Sequence, residues 1–239
     1  MLKSMNKETD GYLSVFGTAL LQSIVDLWEK LEEKPEKRPN QVQTNVVENG
    51  LAIAIIILTM AVVESLLNRT RYIMHCRNIH NIPEKEKESL VSFFRLRFKK
   101  RGLANRLEEL YVIRDVILHN HIWDAEVHRE GKLTFTKPPI LVLGHGDKKF
   151  KKVLNINNRC SKILRLNLFP TRISRRDARK VLRVAYDILY SVESVDQNYC
   201  VVSWMSVIYM KKGMEFSEFI LRISGEYSDP IPIAELAPE

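Results

Sequence analysis

The sequence predicts a mainly α fold: an up-and-down helical bundle with a small β-hairpin inserted before its last core helix. Three observations predict it. Apolar residues recur at helical spacing in successive segments of the 239-residue chain. Nine glycines and nine prolines are few for that length, so Gly-rich loops are scarce. The period shifts toward alternation in one stretch, IWDAEVHREGKLTFT, around a turn at Arg129–Gly131.

The first helix is expected from Gly11 to Lys34, where Leu13, Phe16, Leu20, Leu21, Ile24, Leu27, Trp28 and Leu31 form one stripe. EEKPEKRPN, charged and broken by proline, follows as a linker. The second helix starts at Asn45 or Asn49, either of which can cap it, and runs to about Met74. It is apolar on nearly every face, so it belongs at the centre. A third helix follows Pro83, with Leu90, Val91, Phe93, Phe94, Leu96 and Phe98 inward. It closes on RFKKRG, cations at a C-terminus and then Gly102 as a stop. The fourth helix, Leu103 to His119, carries Leu107, Leu110, Tyr111, Ile113 and Ile117 on its core face, and Asn120 suits its left-handed end.

The hairpin comes next, then a loop-like stretch with a short strand at Ile140–Leu143. The segment up to Pro170 favours no element. Ser174, with Asp177 three residues on, opens a helix through SRRDARKVLRVAYDILYSVES. Cys200 to Met210 and Glu215 to Ile223 read as helix, and the tail as loose. The domain division is residues 1–42 for the N-terminal helix and linker, 43–196 for the bundle with 121–170 inserted, and 197–239 for a C-terminal helical extension.

The net charge is +8 and the pI about 9.3, which suits a polyanionic partner. Three cysteines, Cys76, Cys160 and Cys200, match neither a disulfide framework nor a zinc knuckle, and read as reduced thiols. Cys76 and His80 are four apart, but no second ligand pair accompanies them. The N-terminus lacks an apolar signal core. Leu51 to Val63, the most apolar run, is shorter than the ~20 residues a membrane span needs. A cytoplasmic protein without a membrane association is expected, and no metal or cofactor. No phosphate-binding loop, dinucleotide fingerprint or serine-hydrolase elbow is present.

RDVILHNH, Arg114 to His121, concentrates chemistry at a helix end. Asp115 and His119 are four apart and share a face, while Arg114 is long enough to meet the same anion. Arginine is a forked phosphate binder and histidine moves protons near neutral pH. The plain alternative is a solvated helix end stabilised by its cation. Glu64, a lone carboxylate in an apolar helix, is either an exposed end residue or paired with a cation such as Arg114. His121 is a second proton carrier or a polar residue starting the hairpin, and Asn120 a supporting amide or a cap.

The segment resembles the Arg-polar-x-x-x-His signature of the HEPN superfamily. Arg114 stands at its arginine, Asp115 at its polar residue and His119 at its histidine. AIIILTMAVVESLLN looks like that family's long core helix, with Glu64 near its end, and LNLFPTRISRRDARKVLRVAYDIL like the approach to its last one. The resemblance covers roughly Asn45 to Ser194. It implies a HEPN-like bundle and a metal-independent endoribonuclease acting as a homodimer, of the kind found in toxin–antitoxin, phage-defence and RNA-processing systems. An antitoxin or other regulatory partner would restrain it. Arg114 would bind the scissile phosphate, His119 act as general acid or base, and Asp115 orient it. Arg97, Lys99, Lys100, Arg101, Arg106, Arg175 and Arg176 would form the track for RNA backbone. Two other readings stay open: a non-catalytic module binding RNA, a nucleotide or a protein, and a helical adaptor working through its terminal helices.

Overall fold

The computed structural model describes residues 17–35, 43–76, 89–119, 122–124, 126–128, 134–135, 140–143, 147–155 and 159–225. Among them are seven α-helices and four two-stranded antiparallel sheets.

The central helix is α2 (Val46–Cys76), 31 residues long. Asn45 opens it, its Oδ1 accepting from Val47 N at 2.9 Å. The helix extends past the apolar run at both ends, so the run's shortness does not carry over. Val46–His75 is long and apolar enough to cross a membrane, with a mean hydropathy of 2.4 in its most apolar window. Half of that window is buried inside the protein. Ala52, Ile55, Ile56, Met60, Val63 and Leu67 expose no surface. The hydroxyls of Thr59 and Thr70 turn back onto Ile55 O (2.7 Å) and Leu66 O (2.8 Å), as buried threonines in helices do.

Helices α1 (Leu20–Glu32) and α6 (Arg175–Glu193) flank α2. The first runs antiparallel to it. Gly17 N donates to Ser65 Oγ at 3.2 Å, and a Cβ on Gly17 would lie 3.1 Å from Ser65 Cβ, so a larger residue here would press the two helices apart by a few tenths of an ångström. At the other end Arg175 Nη2 donates to Leu31 O at 2.6 Å and to Lys34 O. α6 starts beside the start of α2: Glu48 Oε1 accepts from Arg175 N (3.1 Å), and Asn49 Nδ2 donates to Ile173 O (2.8 Å). Beyond α6 the chain still follows α2, where the Thr70 hydroxyl reaches Tyr199 O at 3.1 Å. The two helices therefore run in the same direction. α1 and α2 alternate in direction, and the chain between α2 and α6 brings the start of α6 back to where α2 began. The expected capping box is present, with Ser174 N donating to Asp177 Oδ2 at 3.0 Å.

The expected third-helix start after Pro83 lies outside the described residues. The described helix, α3 (Leu90–Phe98), is capped by Ser89, whose Oγ accepts from Ser92 N at 3.2 Å. Its stop is not Gly102. Lys99 takes the left-handed conformation (φ 53°), and Gly102 lies inside α4 (Arg101–Leu118). Phe98 stacks on Phe94 at 5.2 Å and anchors this turn, which offsets the cost of about 1 kcal/mol for a left-handed lysine.

Two nested strand pairs follow. β1 (Ile122–Asp124) pairs with β4 (Ile140–Leu143), and β2 (Val127–His128) with β3 (Thr134–Phe135). This is the expected hairpin; its turn residues Arg129–Gly131 lie outside the described residues. A short helix α5 (Asp147–Val153) and the pair β5 (Leu154–Asn155) and β6 (Cys160–Ser161) lead toward α6. The carboxylate of Glu109, 1% exposed on α4, holds this segment by accepting from Ile163 N and Leu164 N at 2.7 Å each.

The C-terminal region departs from expectation. Residues Cys200 to Met210 are not helical: β7 (Ser206–Tyr209) and β8 (Lys212–Glu215) form a hairpin, and α7 (Phe216–Ser224) follows. Met210 and Lys211 form its two-residue turn with φ 50° and 61°, the mirror-image geometry that matches strand twist. The hairpin docks on α1. Gln22 acts as a strand, donating to Ile208 O (2.9 Å) and accepting from Ile208 N (2.8 Å), while the Tyr209 hydroxyl donates to Glu32 Oε2 at 2.5 Å. One apolar core runs from Leu21 through α2, α4 and α6 to Ile223. The divisions at residues 42 and 196 are therefore not divisions of the core.

Candidate functional site

The end of α4 is built by its own pattern. Leu107, Leu110, Ile113 and Val116 are fully buried, which leaves Arg114, Asp115 and His119 on the rim. Arg114 turns toward α2. Its Nη1 meets Glu64 Oε1, and its Nε and Nη2 donate to Asp115 Oδ1 at 3.1 and 2.8 Å. Glu64 is thus paired rather than a solvated helix end. The three side chains are 26%, 33% and 18% exposed, partly screened from water.

Beneath the guanidinium lies Tyr111, with the ring centroid 4.9 Å from Arg114 Cζ. Burial, and then the charge of Glu64, push the Tyr111 phenol well above its ordinary pKa, so it stays protonated. Burial works against the charge of Arg114, but the hydrogen bonds to Asp115 and the charge of Glu64 overcome it and hold the guanidinium pKa above its usual value. The site thus presents a fixed cation on an aromatic face, held by two carboxylates. Three of the five guanidinium N–H groups serve those bonds, leaving donors for an oxyanion.

His119 closes α4. Its backbone N–H donates to Asp115 O at 2.9 Å, and the residue is exposed. That bond is the ordinary last turn of the helix, and Oδ1 of the Asp115 carboxylate receives Arg114. Asn120 and His121 lie outside the described residues.

The basic residues divide. Arg106 is 6% exposed, and its charge acts on Asp187 of α6, so it is a packing residue and not part of a surface track. Arg175 spends its guanidinium on the carbonyls ending α1. Lys99, Arg101 and Arg176 are exposed, and Arg97 and Lys100 half-buried. Lys99 to Arg101 stand at the opposite end of α4 from His119, roughly 27 Å away along an 18-residue helix. An RNA touching both would have to run the length of α4.

Tyr111 carries a signal in the sequence, since it precedes Arg114 by three and so shares its face. Its core spacing hid it. Glu109 could not be found, because its partners are backbone amides 54 and 55 residues away. Among known protein families, curated proteins and solved structures, nothing matches this chain.

Proposed function

We propose that the protein is a metal-independent endoribonuclease of the HEPN type, acting as a cytoplasmic homodimer. The observation that carries this reading is Arg114, fixed by Glu64 and Asp115 over Tyr111, on the last turns of the helix that ends on an exposed His119. A phosphate-binding cation and a proton carrier at the same helix end are the two parts that cleavage by an RNA 2′-hydroxyl requires.

In the reaction the 2′-oxygen attacks the adjacent phosphorus and the bond to the 5′-oxygen breaks. One group takes the 2′-hydroxyl proton and another gives a proton to the leaving oxygen. A single chain brings one motif histidine, and a two-fold dimer brings two. One His119 would act as base and the His119 of a second copy as acid, with both Arg114 side chains stabilising the charge on the phosphorane. The products would carry 2′,3′-cyclic phosphate and 5′-hydroxyl ends. Work as a toxin or defence effector, restrained by an antitoxin, belongs to the same proposal.

A second reading has its own observation. Two carboxylates already neutralise Arg114, which suits a module that binds RNA, a nucleotide or a protein without cutting. The test is incubation of total RNA with purified protein in excess EDTA, with His119→Ala alongside. Cleavage by wild type alone supports the ribonuclease. RNA binding without cleavage supports the module, and cleavage by both removes His119 from the chemistry.

A further inference from the structure

Polar residues continue along α2 beyond Glu64. Asn68 comes one turn later and Arg71 two turns later. Seven residues advance a helix by about 10.5 Å and return it to nearly the same face. Glu64 meets Arg114, so that face of α2 is the one turned toward the end of α4. Arg71 is half-buried there, and its Nη2 donates to Asn68 Oδ1 at 2.8 Å, which braces the guanidinium. The charges of Arg71 and Arg114 both act on the Tyr111 hydroxyl. Arg71 thus stands on the face of α2 that meets Arg114, a second cation where the sequence motif supplies one.

We propose that Arg71 is a substrate-positioning residue: it holds the RNA phosphate next to the scissile one, beside the Glu64–Arg114 pair where α2 meets α4. The proposal rests on the ribonuclease reading of the Arg114 site. A lone cation attracts a phosphodiester but leaves the strand free to pivot. Holding two successive phosphates fixes its direction across Asp115 and His119. Arginine suits this because its planar fork gives two parallel N–H···O bonds to one phosphate. The contact carries no base information, so the ligand class is single-stranded RNA of any sequence.

The test uses the full chain, with Arg71→Gln and Arg71→Lys beside wild type. A 2′-O-methylated oligonucleotide, which cannot be cut by its own 2′-oxygen, reports binding across a salt series. Removing one phosphate contact should reduce the slope of log affinity against log salt by about 0.7 for Arg71→Gln. Arg71→Lys should keep the slope, which separates charge from folding. With cleavable RNA, Arg71→Gln should raise KM about tenfold and leave kcat within about twofold, as a residue outside the reacting atoms does. An unchanged KM and slope in Arg71→Gln, with an active wild type, would overturn the role of Arg71 and leave the ribonuclease standing. A fall in kcat without a change in KM would overturn positioning too. Wild type that binds but does not cut removes the ribonuclease, while the slope still decides Arg71.

Discussion

Glu64 of α2 and Arg114 of α4, fifty residues apart in sequence, form a direct ion pair. The pair joins the middle of the central helix to the end of the helix that carries the motif. It makes the motif arginine part of the bundle. Asp115 receives the other edge of the same guanidinium and Tyr111 lies under its face, so neither the position nor the charge of Arg114 depends on a ligand.

A double-mutant cycle with Glu64→Gln and Arg114→Gln measures that tie. The groups are about a quarter to a third exposed, so the coupling should be about 1 kcal/mol, above a fully solvated pair. Urea unfolding of the four proteins gives the value, and strict additivity would contradict the contact.

Glu109→Gln should cost about 2 kcal/mol. The variant keeps the shape but loses the charge that strengthens two short hydrogen bonds from backbone amides, and one amide would face a donor. Hydrogen exchange should quicken at Ile163 and Leu164 before it quickens in α6. Equal protection in both proteins would show that the carboxylate does not anchor that segment.

Burial pushes the Cys200 thiol up to about 12, against an ordinary value of 9.0. The unfolded thiol ionises first, so this contribution to stability is complete below pH 9 and lost as pH rises toward 12. Cys200→Ala should flatten the fall in stability across that window. Ellman's reagent at pH 8 should leave native Cys200 unmodified, and rapid labelling would contradict the burial.

Lys211→Gly should stabilise the fold by about 1 kcal/mol. The residue holds φ 61°, which costs an L side chain but not glycine, and it is exposed, so no packing is lost. A lower melting temperature would show that the turn does not need that geometry.

Much of the bundle is legible in the sequence because its helices are patterned locally. The stripe of α1, the cap of α2 at Asn45, the capping box at Ser174 and the core face of α4 all follow from spacing within one element. The C-terminal hairpin is not legible. Its turn is Met210–Lys211, whereas mirror-image turns are recognised by asparagine, aspartate or glycine. Its partners Gln22 and Glu32 lie on the face of α1 that periodicity assigns to water. Gly102 misleads because the left-handed position fell to Lys99, anchored by Phe98 on Phe94. In the site, Arg114, Asp115 and Glu64 come together as the residue types suggest. Arg106 is buried and the guanidinium of Arg175 is taken by helix-end carbonyls, and no spacing rule reports that. Tyr111 is masked by its core spacing although it lies three before Arg114, and Arg71 emerges only once α2 and α4 are packed.

The most direct measurement is the end-group chemistry of RNA treated with wild type and with His119→Ala in excess EDTA. Wild type should leave 2′,3′-cyclic phosphate and 5′-hydroxyl ends, and His119→Ala should lose at least about a hundredfold in rate, the usual contribution of a general acid or base. Equal cleavage by the two proteins, or 5′-phosphate ends from wild type, would contradict a reaction run by Arg114 and His119.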